Sequence, residues 1–188
     1  MNNISRFNVK VTFFDVIRFF FTSKKDYENF KFKIYRLINS RSLTFFSQGR
    51  VGLYKILNLL KKKYPSKKTV IITPYTLTEV INCLNYSDLK IIYVDIDIKT
   101  GLPDYKKLKN ILNKKKNLAL IITHLFTKNK DFQKILKLCK RKQIKIISDN
   151  AINFGLKKSD IFFGKESDFS FYSLNYQKNL SSILGGIV

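Results

Sequence analysis

The chain has 188 residues, 45% hydrophobic and 26% charged, which suits one globular domain with a core of its own. These figures exclude a disordered, collagen-like or disulfide-framed chain, and with 7 glycines and 3 prolines low-complexity linkers are not expected. A net charge of +23 fits nucleic acid, an anionic surface or an acidic substrate as partner, but the excess is almost all lysine and is spread along the chain. Base and phosphate recognition lean on arginine, so solvated lysine-rich faces are expected rather than a nucleic-acid surface.

Residues 11–22 (VTFFDVIRFFFT) are apolar except where Asp15 and Arg18 interrupt. The run is too short and too charged to span a bilayer, so it predicts an amphipathic helix packed on its own domain or on a partner. It does not end in a small-residue cleavage site, so no secretory signal is read. Residues 1–42 read as an N-terminal helical segment and residues 43–188 as the main domain.

In the main domain short aliphatic runs alternate with helical patterns. A helix is predicted over 51–60, strands over 69–72 and 90–94, a helix over 105–112 and a strand over 118–123. In 131–142 Phe132, Ile135, Leu136 and Cys139 follow helical spacing, with Asp131 as N-cap and Lys140, Arg141 and Lys142 loading the last turn. Ile144, Ile146 and Ile147 mark a further strand. Near-continuous β-branched strands separated by helices predict an α/β fold, a mostly parallel sheet flanked by helices on both faces. Cys83 and Cys139 lack metal-ligand spacing and read as buried, reduced thiols of a cytoplasmic protein.

Open α/β sheets bind ligands beyond the carboxyl ends of their strands. The residues placed there are Pro74, Tyr75 and Thr76, then Asp95, Asp97, His124, Asp149, Asn150 and Ser173. A carboxylate such as Asp149 in a cleft stays ionised only opposite a cation or donors, and a protonated ring nitrogen of a cofactor is one such partner; capping the next turn is the alternative. Lys178 lies among aromatic and amide residues in one of the least basic stretches of the chain. That suits a lysine of lowered pKa able to form a Schiff base, although an ordinary surface lysine fits the spacing too. Gly49 and Arg50 precede a helix, where free amides make an anion site, and Ser173 could add a hydroxyl to the same phosphate; turn chemistry is the alternative for all three. His124 is the only histidine and reads as structural. No nucleophile elbow, P-loop or dinucleotide fingerprint is present, and no metal site is expected.

In order, the stretches FFSQGRVGLYKIL, VIITPYTLTEVINCL, IIYVDIDIKTGLPD, LALIITHLF, IKIISDNAINFG and FSFYSLNYQKNLSSILGGIV resemble the DegT/DnrJ/EryC1/StrS sugar aminotransferases. These are fold-type I enzymes that use pyridoxal 5′-phosphate (PLP). The resemblance implies the large, cofactor-binding domain of that fold. It implies that Lys178 carries the cofactor and shuttles the proton, that Asp149 pairs with the pyridinium nitrogen, and that Gly49, Arg50 and Ser173 hold the phosphate. It further implies transfer of an amino group from an amino acid, glutamate by expectation, to a nucleotide-linked keto-sugar in amino-sugar or lipopolysaccharide synthesis, by a cytoplasmic homodimer. The lysine separates the chain from the family's sugar dehydratases, which resemble these enzymes but carry histidine there.

The chain departs from the pattern in places. Ile152 stands where Gln or His is usual, leaving Asn153 as the substitute for the contact to the cofactor's hydroxyl. The ring-stacking position falls near Leu77 or Thr78, neither aromatic, and Arg50 stands where many members have Thr. The chain also stops near the Gly185-Gly186 strand, so it reads as truncated before the small C-terminal domain. Three readings follow: an aminotransferase-like protein; a non-catalytic remnant, or half of a split enzyme completed by a C-terminal half; and, most distantly, a basic nucleic-acid-binding module.

Overall fold

The computed structural model describes residues 12–38, 40, 42–114, 116–124, 129–154, 166–175, 178, 180 and 184–188. Its strands are β1 Phe45–Phe46, β2 Thr69–Ile72, β3 Lys90–Tyr93, β4 Ala119–Thr123, β5 Lys145–Asp149, β6 Phe169–Ser173 and β7 Gly186–Ile187. Its helices are α1 Phe13–Phe20, α2 Lys24–Ile38, α3 Gly49–Lys63, α4 Thr78–Tyr86, α5 Tyr105–Lys114 and α6 Asn129–Arg141. The strands form one sheet in the order β1-β7-β6-β5-β4-β2-β3. Strands β3, β2, β4, β5 and β6 pair in parallel, whereas β7 runs antiparallel to both β6 and β1.

Alternation along each parallel strand decides which layer covers it. Val70, Ile72, Ala119, Ile121, Ile147 and Phe171 pack with Leu53, Leu57 and Leu60 of α3 and Val80 and Leu84 of α4. Their neighbours in sequence, Ile71, Leu120, Ile122 and Ile146, pack with Leu108 and Leu112 of α5 and Ile135 and Leu138 of α6. Both faces are therefore apolar, and the strands read as continuous aliphatic runs. Each such side chain contributes about 1.5–3 kcal/mol of burial.

The helices follow their stripes. Leu53, Ile56, Leu57 and Leu60 of α3 are buried at i, i+3, i+4 and i+7. At its C-terminal end Lys61 Nζ donates to the Ser87 carbonyl at 2.8 Å and meets the Asp88 carboxylate at 3.3 Å. Helix α6 begins at Asn129, so Asp131 lies inside its first turn and not at the cap expected for it. Helix α4, unmarked by the sequence periodicity, buries only Val80, Cys83 and Leu84 and has no side-chain cap at Leu77.

At the N-terminal end α1 opens on a capping box: Thr12 N–H donates to the Asp15 carboxylate at 2.9 Å, and Asp15 N–H to Thr12 Oγ1 at 3.2 Å. The expected packing of this helix on its own domain is not found, since none of its residues is buried. Helix α2 does pack: Ile34 and Ile38 join Phe154, Tyr172, Leu174 and Ile187 in a third apolar cluster. Among the described residues no helix is long and apolar enough to cross a membrane. Both cysteines are buried free thiols, and burial pushes that of Cys139 up to about 12.

Gln143, just past α6, adopts φ 53° while the flanking amides of Lys142 and Ile144 return to Leu138 and Cys139. A left-handed residue at this position favours glycine. Gln143→Gly is expected to raise the unfolding free energy by about 0.5–1 kcal/mol, the relief of Cβ strain less the entropy glycine adds to the unfolded chain. Urea denaturation checks it, and a loss of stability would show that the turn is unstrained.

Candidate functional site

Parallel pairing brings the carboxyl ends of β2, β4, β5 and β6 to one edge of the sheet. In register, Thr123 at the end of β4 lies opposite Asp149 at the end of β5, and Asp149 opposite Phe171 of β6. A cavity of about 380 Å³ opens there. The loop after β2 lines it with Pro74, Tyr75, Thr76 and Leu77, β4 with Thr123, and β5 and its following turn with Asp149, Ala151 and Ile152. Lys178 completes the lining. The structure thus brings Asp149 and Lys178, expected from sequence, into one cavity.

The Asp149 carboxylate is 3% exposed, and burial pushes its pKa up to about 6. The Ala151 N–H, donating to Asp149 Oδ1 at 3.0 Å, and the charge of Lys178 act in the opposite sense. A buried acid so weakly compensated awaits a cation. Lys178 is held in a turn, its N–H donating to the Asn175 carbonyl at 2.9 Å, and Asn175 N–H reaches Ser173 Oγ at a long 3.5 Å. Tyr176 and Gln177, part of the stretch that singled out Lys178, lie outside the described residues.

A second cluster forms at the N-terminus of α3. A Cβ on Gly49 would come within 3.0 Å of the Tyr172 carbonyl oxygen and 3.5 Å of Ser173 Cα. A Cβ on Gly186 would lie 2.3 Å from the Gly49 nitrogen and 2.4 Å from the Gln48 carbonyl carbon. No side chain fits there, so β7 presses backbone to backbone against the start of α3 while the end of β6 lies alongside. Gln48, the N-cap, gives no side-chain hydrogen bond to the helix. Helical amides beside the Ser173 hydroxyl therefore present donors and the positive end of a dipole. Arg50 is exposed, and its carbonyl accepts the Cys83 thiol at 3.4 Å.

Other strand-end candidates serve the scaffold. Asp95 pairs with Lys107 at 2.8 Å, and Asp97 caps a turn through the Lys99 N–H at 2.8 Å. His124 is 1% exposed, its Nε2 lies 2.8 Å from Ser148 Oγ, and its ring stands edge-on to Phe132 at 4.9 Å. Burial lowers its pKa to about 4, so the ring is neutral at pH 7. Asn153 does not reach for a cofactor: it is 8% exposed and its carboxamide donates to the His124 carbonyl. Near the stacking position, the aromatic residue that lines the cavity is Tyr75, ahead of Leu77. Thr123 and Ala151 went unread from sequence, although register with Asp149 marks Thr123 once the strands are paired. Among the described residues no three His, Cys, Asp or Glu side chains gather as a metal site.

Comparison with known proteins places the chain in a family and a fold. The DegT/DnrJ/EryC1/StrS aminotransferase family model matches residues 17–188. GDP-perosamine synthase of Escherichia coli O157:H7 is 28% identical over 169 residues, 89% of this chain and 45% of that protein. The dTDP-4-amino-4,6-dideoxy-D-glucose transaminase of Shigella dysenteriae is 25% identical over 83% of this chain and 41% of its own length. The chain therefore spans less than half the length of these relatives. Among solved structures, the sugar aminotransferase CalS13 from Micromonospora echinospora superposes with a TM-score of 0.74 at 20% identity, covering 85% of this chain and 44% of that one.

Asp149 and His124 tilt stability in opposite directions with pH. Between about pH 4 and 6 the folded chain holds a proton on Asp149 that the unfolded chain has lost, so this contribution falls as pH rises. Between about pH 4 and 6.5 the unfolded chain holds a proton on His124 that the folded chain lacks, so this contribution rises. Asp149→Asn removes only the first. The variant should be more stable than the parent at pH 8, on the order of 3 kcal/mol, with the gap closing below pH 4. Urea unfolding at both pH values measures it, and an equal gap at each would mean that Asp149 is not a buried, weakly compensated acid.

Proposed function

Because the chain belongs to the DegT/DnrJ/EryC1/StrS aminotransferase family, we propose that it forms the cofactor-binding part of a PLP-dependent sugar aminotransferase. The observation that carries the reading is the cavity shared by the buried Asp149 and Lys178 at the carboxyl edge of the sheet. The reaction is transfer of an amino group from an amino acid, glutamate by expectation, to a nucleotide-linked keto-sugar. Relatives named for perosamine and aminodideoxyglucose synthesis support that substrate class. A cytoplasmic enzyme completed by a second copy, or by a C-terminal half, fits the same reading, with residues 43–188 as the PLP-binding domain.

The residues fit PLP on two features of the structure. Asp149 is a buried carboxylate lacking a full countercharge, suited to a pyridinium N–H. The N-terminus of α3 is met by backbone alone at Gly186, where no side chain fits, and a helix start so bared of side chains suits a phosphate. When bound, PLP supplies the electron sink at the carbon that loses or gains the amino group.

The chain's own groups do the rest. Asp149 would hold the ring nitrogen protonated and would itself stay ionised opposite it at neutral pH. Lys178 Nζ anchors the cofactor and moves the proton to and from the substrate carbon. The amides of Gly49 and Arg50 and the Ser173 hydroxyl grip the phosphate, with the Arg50 guanidinium available as a second anchor. Pro74, Tyr75 and Leu77 on one side and Ile152 on the other wall the cavity with apolar surface. Apolar Ile152 also favours a second reading, a non-catalytic remnant that keeps the cavity without turnover.

Borohydride reduction of the chain with PLP, followed by peptide mass spectrometry, tests the proposal. A phosphopyridoxyl group on Lys178 alone is expected, and none in Lys178→Ala. Scattered labelling across the lysines would retire the reading. Trapping at Lys178 without amino transfer, after addition of a C-terminal half from a relative, would favour the remnant.

A further inference from the structure

We propose that Asn153 is a positioning residue for Asp149: its carboxamide clasps the turn after β5 to the carboxyl end of β4 and so fixes where the carboxylate sits. The inference rests on Asp149 being the group that faces the cofactor ring, and adds a residue whose side chain does not line the cavity.

Asp149 is the last residue of β5, so its side chain is only as well placed as the turn that follows. Backbone bonds begin the job: Asn150 N–H donates to the Phe171 carbonyl at 3.0 Å, and Asn153 N–H to the Asn150 carbonyl at 3.0 Å. Both bonds stay on the β5–β6 side or inside the turn itself. Beyond the ladder that pairs Thr123 with Asp149, a link to the β4 side runs through His124. Its N–H donates to the Asp149 carbonyl at 3.1 Å, and its own carbonyl accepts the Asn153 carboxamide. One peptide segment beyond β4 thus grips the turn at its first residue and again at its fifth.

His124 is a firm anchor for this purpose. Its ring is tied through Nε2 to Ser148 Oγ at 2.8 Å, Ser148 Oγ lies 2.6 Å from Ser167 Oγ, and Phe132 closes over the ring. The other amide of the turn, Asn150, is buried and hydrogen-bonds Tyr172, on the β6 side. Ala151 has no polar side chain, and Ile152 is aliphatic and 41% exposed. Asn153 is itself absent from the apolar clusters that hold the sheet together. Removing its carboxamide strips a buried carbonyl of a donor and loosens the turn without opening the core.

The test reads the clasp in three ways. In the native chain, labelled with nitrogen-15, the side-chain amide protons of Asn153 should exchange about tenfold more slowly than those of exposed Asn82 and Asn85. Equal exchange overturns the proposal, whatever any variant does. In Asn153→Ala, water should reach the carboxylate, and the Asp149 titration followed by carbon-13 NMR should move down toward the ordinary carboxylate range. The PLP dissociation constant should rise about tenfold, the worth of one buried hydrogen bond. A folded variant with an unchanged Asp149 titration and unchanged PLP affinity makes Asn153 merely structural and also overturns the proposal. If the parent chain binds no PLP, the cofactor reading fails, while amide exchange and the titration still judge the clasp.

Discussion

The parallel strands are buried on both faces, between α3 and α4 on one side and α5 and α6 on the other, and that constraint confines chemistry to the strand ends. It also dictates who can take part. Candidate residues stand at strand ends: Thr123 on β4, Asp149 on β5, Ser173 on β6. The parallel register then sets their spacing without further sequence information. Thr123 faces Asp149 because Ala119 faces Lys145 four residues earlier, and a slip by one residue would turn every aliphatic side chain to the opposite layer. The site inherits its precision from the core.

The antiparallel strand β7 adds what the parallel units cannot. It passes so close to α3 that Gly186 and the Gln48–Gly49 backbone leave no room for a Cβ between them. A helix N-terminus is thereby held against a sheet edge. In a chain with a net charge of +23 an anion would find cations almost anywhere, so charge alone selects no site. Oriented backbone amides are better suited to select one, because their geometry does not shift with side-chain rotamers and is less screened than exposed lysine.

Much of this was legible because burial on both faces leaves a plain trace. The run at Thr69–Ile72 matches its strand residue for residue, and those near β3, β4 and β5 match within one or two. Helices α3, α5 and α6 were legible through broad apolar stripes. Helix α4 was not, because three buried residues in nine make a stripe too thin to stand out among β-branched and polar neighbours. The two-residue strands β1 and β7 carry no periodicity at all; β7 is a strand through its pairing with β6, and β1 through its pairing with β7. At the site, Asp149 could be singled out because a carboxylate after an aliphatic run is chemically conspicuous. The partner of Asn153 was not legible, for the opposite reason. An amide serves a ligand or a distant carbonyl equally well, and the choice depends on where His124 lies, a contact 29 residues away in sequence.

Burying Asp149 costs stability at neutral pH, and the fold accepts that cost at the end of a strand where it could have placed an amide or an alkyl group. Partial compensation is what makes the site useful. Were the carboxylate fully paired by protein donors, an incoming ring nitrogen would have to displace them and would gain little. Were it exposed, water would screen the pair that forms. One backbone donor at 3.0 Å and one lysine acting through space orient the carboxylate while leaving most of its countercharge to be supplied from outside. Buried His124, held neutral beside the same turn and tied to Ser148, contributes rigidity without adding a charge. A cation bound beside the carboxylate would return the stability forgone there, by the linkage between binding and folding.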